Sequence, residues 1–281
     1  MKCFMFPGQP LDFSLPLPDD RDFAAVAHMA SEKAFLDLEA LVWTKGGPTE
    51  SVKLQVYGAA MSLYRNRVLT GAGKRPDVIA EHSMGIYPAL AAAGSIAEEE
   101  AIELAFRIGD SFAKMSEKAE YSLGCVIGLT LEPLAAIAAN NGVYLANLNT
   151  SRHFLLSGAA AGMAGAVAEA QAGGAFSART FPCDAPLHSP LMEEMAPELA
   201  RICGEYRYRE PAVPLIDHIR QKPLAAAEIA GFMVRELCEP VYWEATYLAL
   251  HARGVGKFQE VGAGDSLKKY NRWIDNEKIS R

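Results

Sequence analysis

Val78-Ile79-Ala80-Glu81-His82-Ser83-Met84-Gly85 is the stretch that decides how this chain folds. Arg75-Pro76 leads into three apolar residues, Val78 to Ala80, which read as a buried strand halted at Glu81. Met84 to Ala93 then has helical character. A strand that runs straight into a turn with serine at its apex, and leaves as a helix, is the nucleophile-elbow arrangement. The sharp turn exposes the serine Oγ, and the next backbone N–H faces a developing oxyanion. The usual pattern is G-x-S-x-G. Here Glu81 takes the place of the first glycine, and H-S-x-G alone also suits a serine that caps a helix.

Working outward, Lys2 to Phe6 is an apolar run that stops at Pro7-Gly8 and reads as a buried first strand. Leu11 to Asp20 is rich in Pro and Asp and is expected to be a loop, with Asp20 capping a helix to about Val42. A second helix is expected from about Ser51 to Leu69. Ser95 with Glu98 has capping-box spacing, which predicts a helix from there to about Ala119. The middle of the chain changes rhythm. Strands at Ser122–Leu129, Val143–Asn147, Phe154–Gly158 and Ala178–Cys183 alternate with helices at Glu132–Asn140 and Ala161–Ala172. That βαββαβ order is the ferredoxin-like unit. Helices at Met192–Glu205, Ala225–Leu237 and Val241–Ala252 follow, with strands at Val213–Ile216 and Lys257–Val261 and a final helix. The expected fold is α/β: a hydrolase-like core with a parallel sheet, residues 1–120 and 186–281, carrying an inserted ferredoxin-like subdomain, residues 121–185.

Composition sets limits without naming a reaction. The 281 residues are 50% hydrophobic and 22% charged, which is ordinary globular usage. A net charge of −7, with no long basic block, argues against nucleic acid or an acidic membrane as partner. The five cysteines include no C-x-x-C pair, so neither a disulfide framework nor a zinc knuckle is indicated. His28, His153, His218 and His251 stand alone and read as surface or satisfied core histidines, and no metal site is expected. No apolar run reaches 18 residues, and Met1 to Phe6 is too short for a signal-peptide core. A cytoplasmic, free-standing chain is the expectation. Gly262-Ala263-Gly264 lacks G-x-G-x-x-G spacing and is not a dinucleotide loop.

A serine needs a base to lose its proton near neutral pH. His188, in Cys183-Asp184-Ala185-Pro186-Leu187-His188-Ser189-Pro190-Leu191-Met192, sits on a proline-bracketed loop that would hold one side chain fixed. Phe6-Pro7-Gly8-Gln9 is a turn at a strand's carboxyl end, where doubly wound sheets place their clefts.

Six separated pieces then coincide. F-P-G-Q at Phe6 to Gln9, H-S-x-G at His82 to Gly85, and A-N-x-N at Ala146 to Asn149 with Ser157-Gly158 come first. H-S-P-L-M at His188 to Met192, P-V-x-W at Pro240 to Trp243, and E-V-G-x-G at Glu260 to Gly264 complete the set. In their order and spacing the chain resembles the malonyl-CoA:acyl-carrier-protein transacylases and the acyltransferase domains of fatty-acid and polyketide synthases. The resemblance implies a ping-pong acyl transfer in which Ser83 is the nucleophile and His188 is general base, then acid. It implies an oxyanion hole from the backbone N–H groups of Gln9 and Met84, and a backbone carbonyl, not a carboxylate, behind the histidine. His82 and Asn147 match cleft positions. No permanently bound cofactor is implied, because the substrates carry coenzyme A or phosphopantetheine. The partners are an acyl-CoA and an acyl carrier protein, and the family commonly works as a monomer or an embedded domain. Lys114, Lys118, Arg179, Lys268, Lys269 and Arg272 are candidates, by sign, for meeting an acidic carrier.

The departures bear on substrate. Malonyl-type members carry an arginine, in the helix after the elbow, that pairs with the free malonyl carboxylate. A gapless match up to Gly128 puts Ile108 at that position. Arg107 is one residue away, about 100° around the helix. An isoleucine there gives an apolar pocket floor, against which a buried carboxylate would cost several kcal/mol. A neutral acyl group is the expectation. A malonyl enzyme with a shifted cation, a hydrolase that clears acyl carrier proteins, and a non-catalytic carrier-docking subunit are the alternatives. Pro10 and Ile86 replace a glycine and a glutamate of the family pattern. Glu81 reads either as a solvated turn residue or as a group that perturbs His82 or the site.

Overall fold

The computed structural model describes residues 1–9, 16–42 and 50–279. The elements run β1 (Lys2–Phe6), α1 (Arg21–Ala34), α2 (Glu50–Gly71), β2 (Val78–Glu81), a 3-10 turn at Ser83–Gly85, α3 (Ile86–Ala92) and α4 (Glu98–Ser116). Then come β3 (Tyr121–Ile127), α5 (Leu131–Asn140), β4 (Tyr144–Thr150), β5 (His153–Ala159), α6 (Ala160–Ala172) and β6 (Ser177–Cys183). A 3-10 segment at Pro190–Met195 opens α7 (Ala196–Gly204). The rest is β7 (Leu215–Ile216), α8 (Ala226–Cys238), α9 (Trp243–Ala252), β8 (Lys257–Glu260) and α10 (Ser266–Ile279).

Two sheets result. One is parallel, in the order β7-β2-β1-β8, with Phe6 beside Glu81 in register. The central strands β1 and β2 are mostly apolar because both faces are covered, whereas the edge strand β8 reads Lys-Phe-Gln-Glu. Cys3, Met5, Val78, Ala80 and Ile216 pack against Trp243 and Tyr247 of α9 and Leu267 and Tyr270 of α10. Phe4, Phe6, Ile79 and Leu215 face the other way, into the large cluster built with α3, α4, α7 and α8. The second sheet is antiparallel, in the order β4-β5-β3-β6, as a ferredoxin-like βαββαβ unit requires. α5 and α6 cover one of its faces through Leu134, Ile137, Met163 and Ala166. The two sheets are tied by backbone. Leu148 N–H donates to Val241 O at 2.8 Å, and Val241 N–H donates to Ala146 O at 2.8 Å.

Three expectations change. α1 stops at Ala34, well before Val42, because Phe35 takes a left-handed turn (φ 54°) and caps the helix without any glycine or proline to announce it. The helix expected at Ser95 starts at Glu98 instead: the Glu100 carboxylate accepts the Ala97 N–H at 2.8 Å, so Ser95-Glu98 is not the capping pair. Met192 to Glu205 is not one helix but a 3-10 segment followed by α7. Pro10 and the first half of the expected Leu11–Asp20 loop lie outside the described residues. Among the described residues no helix is long and apolar enough to cross a membrane, and no cluster of three or more His, Cys, Asp or Glu could hold a metal ion.

Candidate active site

The elbow forms as its sequence suggests. β2 delivers His82 in extended backbone, and its N–H donates to Phe6 O at 3.0 Å. Ser83 then turns left-handed, with φ 57°. For a non-glycine residue this is strained, and it throws the hydroxyl out of the turn. The glycines around it are set by close approach. A Cβ on Gly85 would lie 2.1 Å from Phe6 O, one on Gly8 2.6 Å from His82 O, and one on Gly262 2.5 Å from Pro7 Cγ. Three loops at strand carboxyl ends therefore interlock through the absence of side chains.

His188 reaches the serine from the loop between β6 and the Pro190–Met195 segment. It too is left-handed, with φ 57°. Ser189 Oγ donates to Pro186 O at 2.5 Å and ties the loop. His188 Nε2 lies 2.7 Å from Ser83 Oγ, and its Nδ1–H donates to the backbone carbonyl of Glu236 at 2.6 Å. That second bond puts the ring proton on Nδ1 and leaves Nε2 free to accept the hydroxyl proton. Burial pushes the imidazole below its ordinary range, opposed by the Glu236 carboxyl. The ring is therefore neutral and ready to act as a base.

His82 makes a different contact. Its Nε2–H donates to Asn149 Oδ1 at 2.8 Å, and Asn147 Nδ2 stands 3.4 Å from the same nitrogen. Its ring lies 5.9 Å from that of Trp243, whose Nε1–H donates to Asn271. Burial lowers the His82 pKa to about 4, so it stays neutral. The P-V-x-W and A-N-x-N pieces thus meet as a scaffold behind the elbow. Glu260 of the E-V-G-x-G piece accepts the Leu267 and Lys268 N–H groups and caps α10.

A narrow cavity of about 30 Å³ opens beside the serine. It is lined by Gln9, Gln55, His82, Ser83 and Met84 from the N-terminal part of the chain and by Leu123, Asn147, Leu155, Leu187 and His188 from further along. Six of the seven expected site residues converge there. Ile108 does not: it is buried in the packed cluster with Met84 and Leu187 and stands outside the cavity lining. Arg107 points elsewhere, to Glu205 at 2.6 Å and to the Tyr206 ring. Among the described residues no lysine or arginine lines the cavity. Of the candidate carrier-facing cations, Lys114, Lys118 and Lys269 are each paired with a carboxylate, to Asp110, Glu194 and Asp265. Arg179, Lys268 and Arg272 are exposed.

Several neighbours were not foreseen. Gln55 is buried in α2 with its Oε1 unpartnered and lines the cavity. Gly109 permits this, since a Cβ there would press within 3.3 Å of the Gln55 side chain. Ile86 is fully buried in the core behind the elbow. Glu81 is not a solvated turn residue: it is fully buried at the end of β2. His218 is in the core but is not satisfied, since neither ring nitrogen has a partner.

A family model described as the acyl transferase domain matches residues 21–265. The chain is 30% identical to the malonyl CoA-acyl carrier protein transacylase of Bacillus subtilis over 74% of its own length and 69% of that protein's. It is 28% identical to the enzyme of the same name from Escherichia coli, covering 94% of this chain and 90% of that one. It is also 28% identical to the polyketide biosynthesis protein ThaF of Burkholderia thailandensis over 99% of this chain, but spans only 24% of that protein. Among solved structures, the Coxiella burnetii malonyl CoA-acyl carrier protein transacylase matches with a TM-score of 0.87 at 28% identity, over 98% of this chain and 91% of that one. A malonyl-transacylase in complex with a type II polyketide acyl-carrier protein matches with a TM-score of 0.88 at 28% identity, over 98% and 93%.

Proposed function

The chain belongs to the acyl transferase family, and from that premise we propose that it carries an acyl group from coenzyme A to the phosphopantetheine thiol of an acyl carrier protein, by way of an ester on Ser83. The observation that carries the reading is the 2.7 Å contact between Ser83 Oγ and a His188 ring fixed in the base-competent tautomer. His188 Nε2 takes the hydroxyl proton as Oγ bonds to the thioester carbon. The oxyanion is received by the N–H groups of Gln9 and Met84. As the C–S bond breaks, the imidazolium returns the proton to the departing coenzyme A sulfur. The carrier thiol then repeats the sequence in reverse. No resident cofactor is needed, because each substrate brings its own pantetheine arm. Residues 1–120 with 186–281 form the catalytic unit, and 121–185 form a smaller unit that supplies the Leu123, Asn147 and Leu155 wall.

The acyl group is neutral. No cation lines the cavity among the described residues, so a malonyl carboxylate would enter unpaired. A second reading is release of the acyl group to water, since the space beside Ser83 can hold a water molecule. A panel of acyl-CoAs, scored at once for carrier-protein loading and for free-acid release, tests both. Acetyl loading above malonyl is the expected result. Preferential malonyl loading would overturn the neutral-acyl reading, and free acid without loading would make the enzyme a hydrolase.

A further inference from the structure

Behind His188 lies a line of buried titratable groups that the dyad chemistry does not use. The Glu236 carboxylate Oε2 stands 3.6 Å from His188 Nδ1, the same nitrogen that donates to the Glu236 carbonyl. On its far side, Oε2 is 3.8 Å from His218 Nε2, and that nitrogen is 4.0 Å from Glu81 Oε1. Glu81 and His218 are fully buried and Glu236 nearly so. Both oxygens of Glu81, both ring nitrogens of His218 and Glu236 Oε2 have no hydrogen-bond partner. Burying so many unpartnered polar atoms is costly. An apolar side chain at any of the three positions would avoid that cost. Glu236 carries the line to the His188 imidazole, with His218 and then Glu81 behind it.

We propose that Glu236 is a positioning residue for His188 through its side chain as well as its backbone: the buried carboxylate, backed by His218 and Glu81, stabilises the imidazolium formed when Ser83 gives up its proton. The inference rests on the Ser83–His188 reading of the site. The Nδ1 proton stays where it is, held by the Glu236 carbonyl, and no proton crosses the array. What changes is charge. With Glu236 ionised, a neutral ring beside a carboxylate becomes an ion pair in a dry site, where such a pair is far stronger than in water.

The surroundings leave room for at most one negative charge in the array, on Glu236. Burial pushes Glu236 up to about 7, opposed by His188. Burial and the facing Glu236 and Asp217 carboxyls hold Glu81 well above the ordinary range, so it carries its proton. Burial lowers His218 to about 4, so it is neutral. Tyr87 from α3 and the Cys203 and Cys238 thiols also face Glu236, but burial raises all three and they bring no charge. His82, neutral, is the remaining group that faces His188.

The test is the pH dependence of Ser83 phosphonylation by a fluorophosphonate, followed by intact mass. In that reaction the Oγ–P bond forms, fluoride leaves, and His188 takes the proton. The probe needs no acyl-CoA, so it separates this inference from the choice of acyl donor. Absence of a Ser83 adduct in the wild type would sink the dyad itself. Glu236→Gln keeps the shape and the carbonyl but removes the charge. We expect its acid limb to move about one pH unit lower, because the imidazolium loses its counter-charge, and its plateau rate to fall about tenfold. A purely space-filling role for Glu236 leaves both unchanged, and that result overturns the proposal. Should the variant not fold, histidine 15N NMR of the wild type decides instead. His188 should titrate in two coupled steps, and a single isolated step overturns the array.

Discussion

Ser83 and His188 share one backbone conformation, φ 57° in each, and their side chains meet at 2.7 Å. Two β-carbon-bearing residues in the left-handed region at a single contact place strain on the reacting pair. The strain at Ser83 can be isolated by comparing two inactive variants. Ser83→Ala and Ser83→Gly both lack the hydroxyl, but only glycine relaxes the turn. Ser83→Gly should be the more stable of the two by about 1 kcal/mol in denaturant unfolding. Equal stability would show that the elbow is unstrained.

Gly85 has less room than any other glycine at the elbow, because a Cβ there would lie 2.1 Å from Phe6 O. The obstacle is backbone in β1, so it cannot rotate away. Gly85→Ala should cost about 3 kcal/mol and lower Ser83 phosphonylation as the turn shifts. Calorimetry and labelling on the same sample check both effects. A variant that melts with the wild type would mean β1 yields at Phe6.

Glu81 makes stability depend on pH with a definite sign. Its folded pKa is held by burial well above the reference value of 4.5. Its contribution is therefore fully present below pH 4.5 and is lost as pH rises toward the folded pKa, at about 1.4 kcal/mol per pH unit. Glutamine keeps the neutral shape at every pH. Glu81→Gln should melt close to wild type at about pH 5 and several degrees above it at about pH 8. A constant gap between the two melting curves across that range would contradict a buried, proton-bearing Glu81.

Ile108 is packed with Met84 and Leu187 rather than lining the cavity. A guanidinium there must displace apolar contacts to reach the acyl group. Ile108→Arg should raise malonyl loading relative to acetyl while lowering stability by about 3 kcal/mol. An unchanged loading ratio in a folded variant would show that position 108 does not address the acyl group.

The parallel sheet was legible because its strands are short apolar runs ended by turns: Lys2 to Phe6 at Pro7-Gly8, and Val78 to Ala80 at the elbow. The contact between Ser83 and His188 bridges 105 residues; the proline-bracketed loop singled out His188 as a candidate base, and the family resemblance then joined the two as a dyad. The acidic array was not legible. Glu236 is one glutamate on an amphipathic helix, and His218 is one histidine after a short strand. They converge because β2 and β7 are neighbours, with Ala80 beside Ile216, which sets Glu81 next to the Asp217-His218 end. That is knowledge of strand order, which no spacing along the chain contains. The early end of α1 was hidden for a related reason: Phe35 adopts a conformation that sequence normally signals with glycine.

The antiparallel sheet enters and leaves the rest of the chain at one place, since Tyr121 and Cys183 are paired neighbours. Two adjacent strands make a hinge, about which the sheet could swing like a door. The hydrogen bonds at Val241 grip β4, the opposite edge of the same sheet, three strands away from β6. Such a door is fastened at both jambs. The Leu123–Leu155 wall beside Ser83 is thereby held to the rest of the chain at both edges of its sheet.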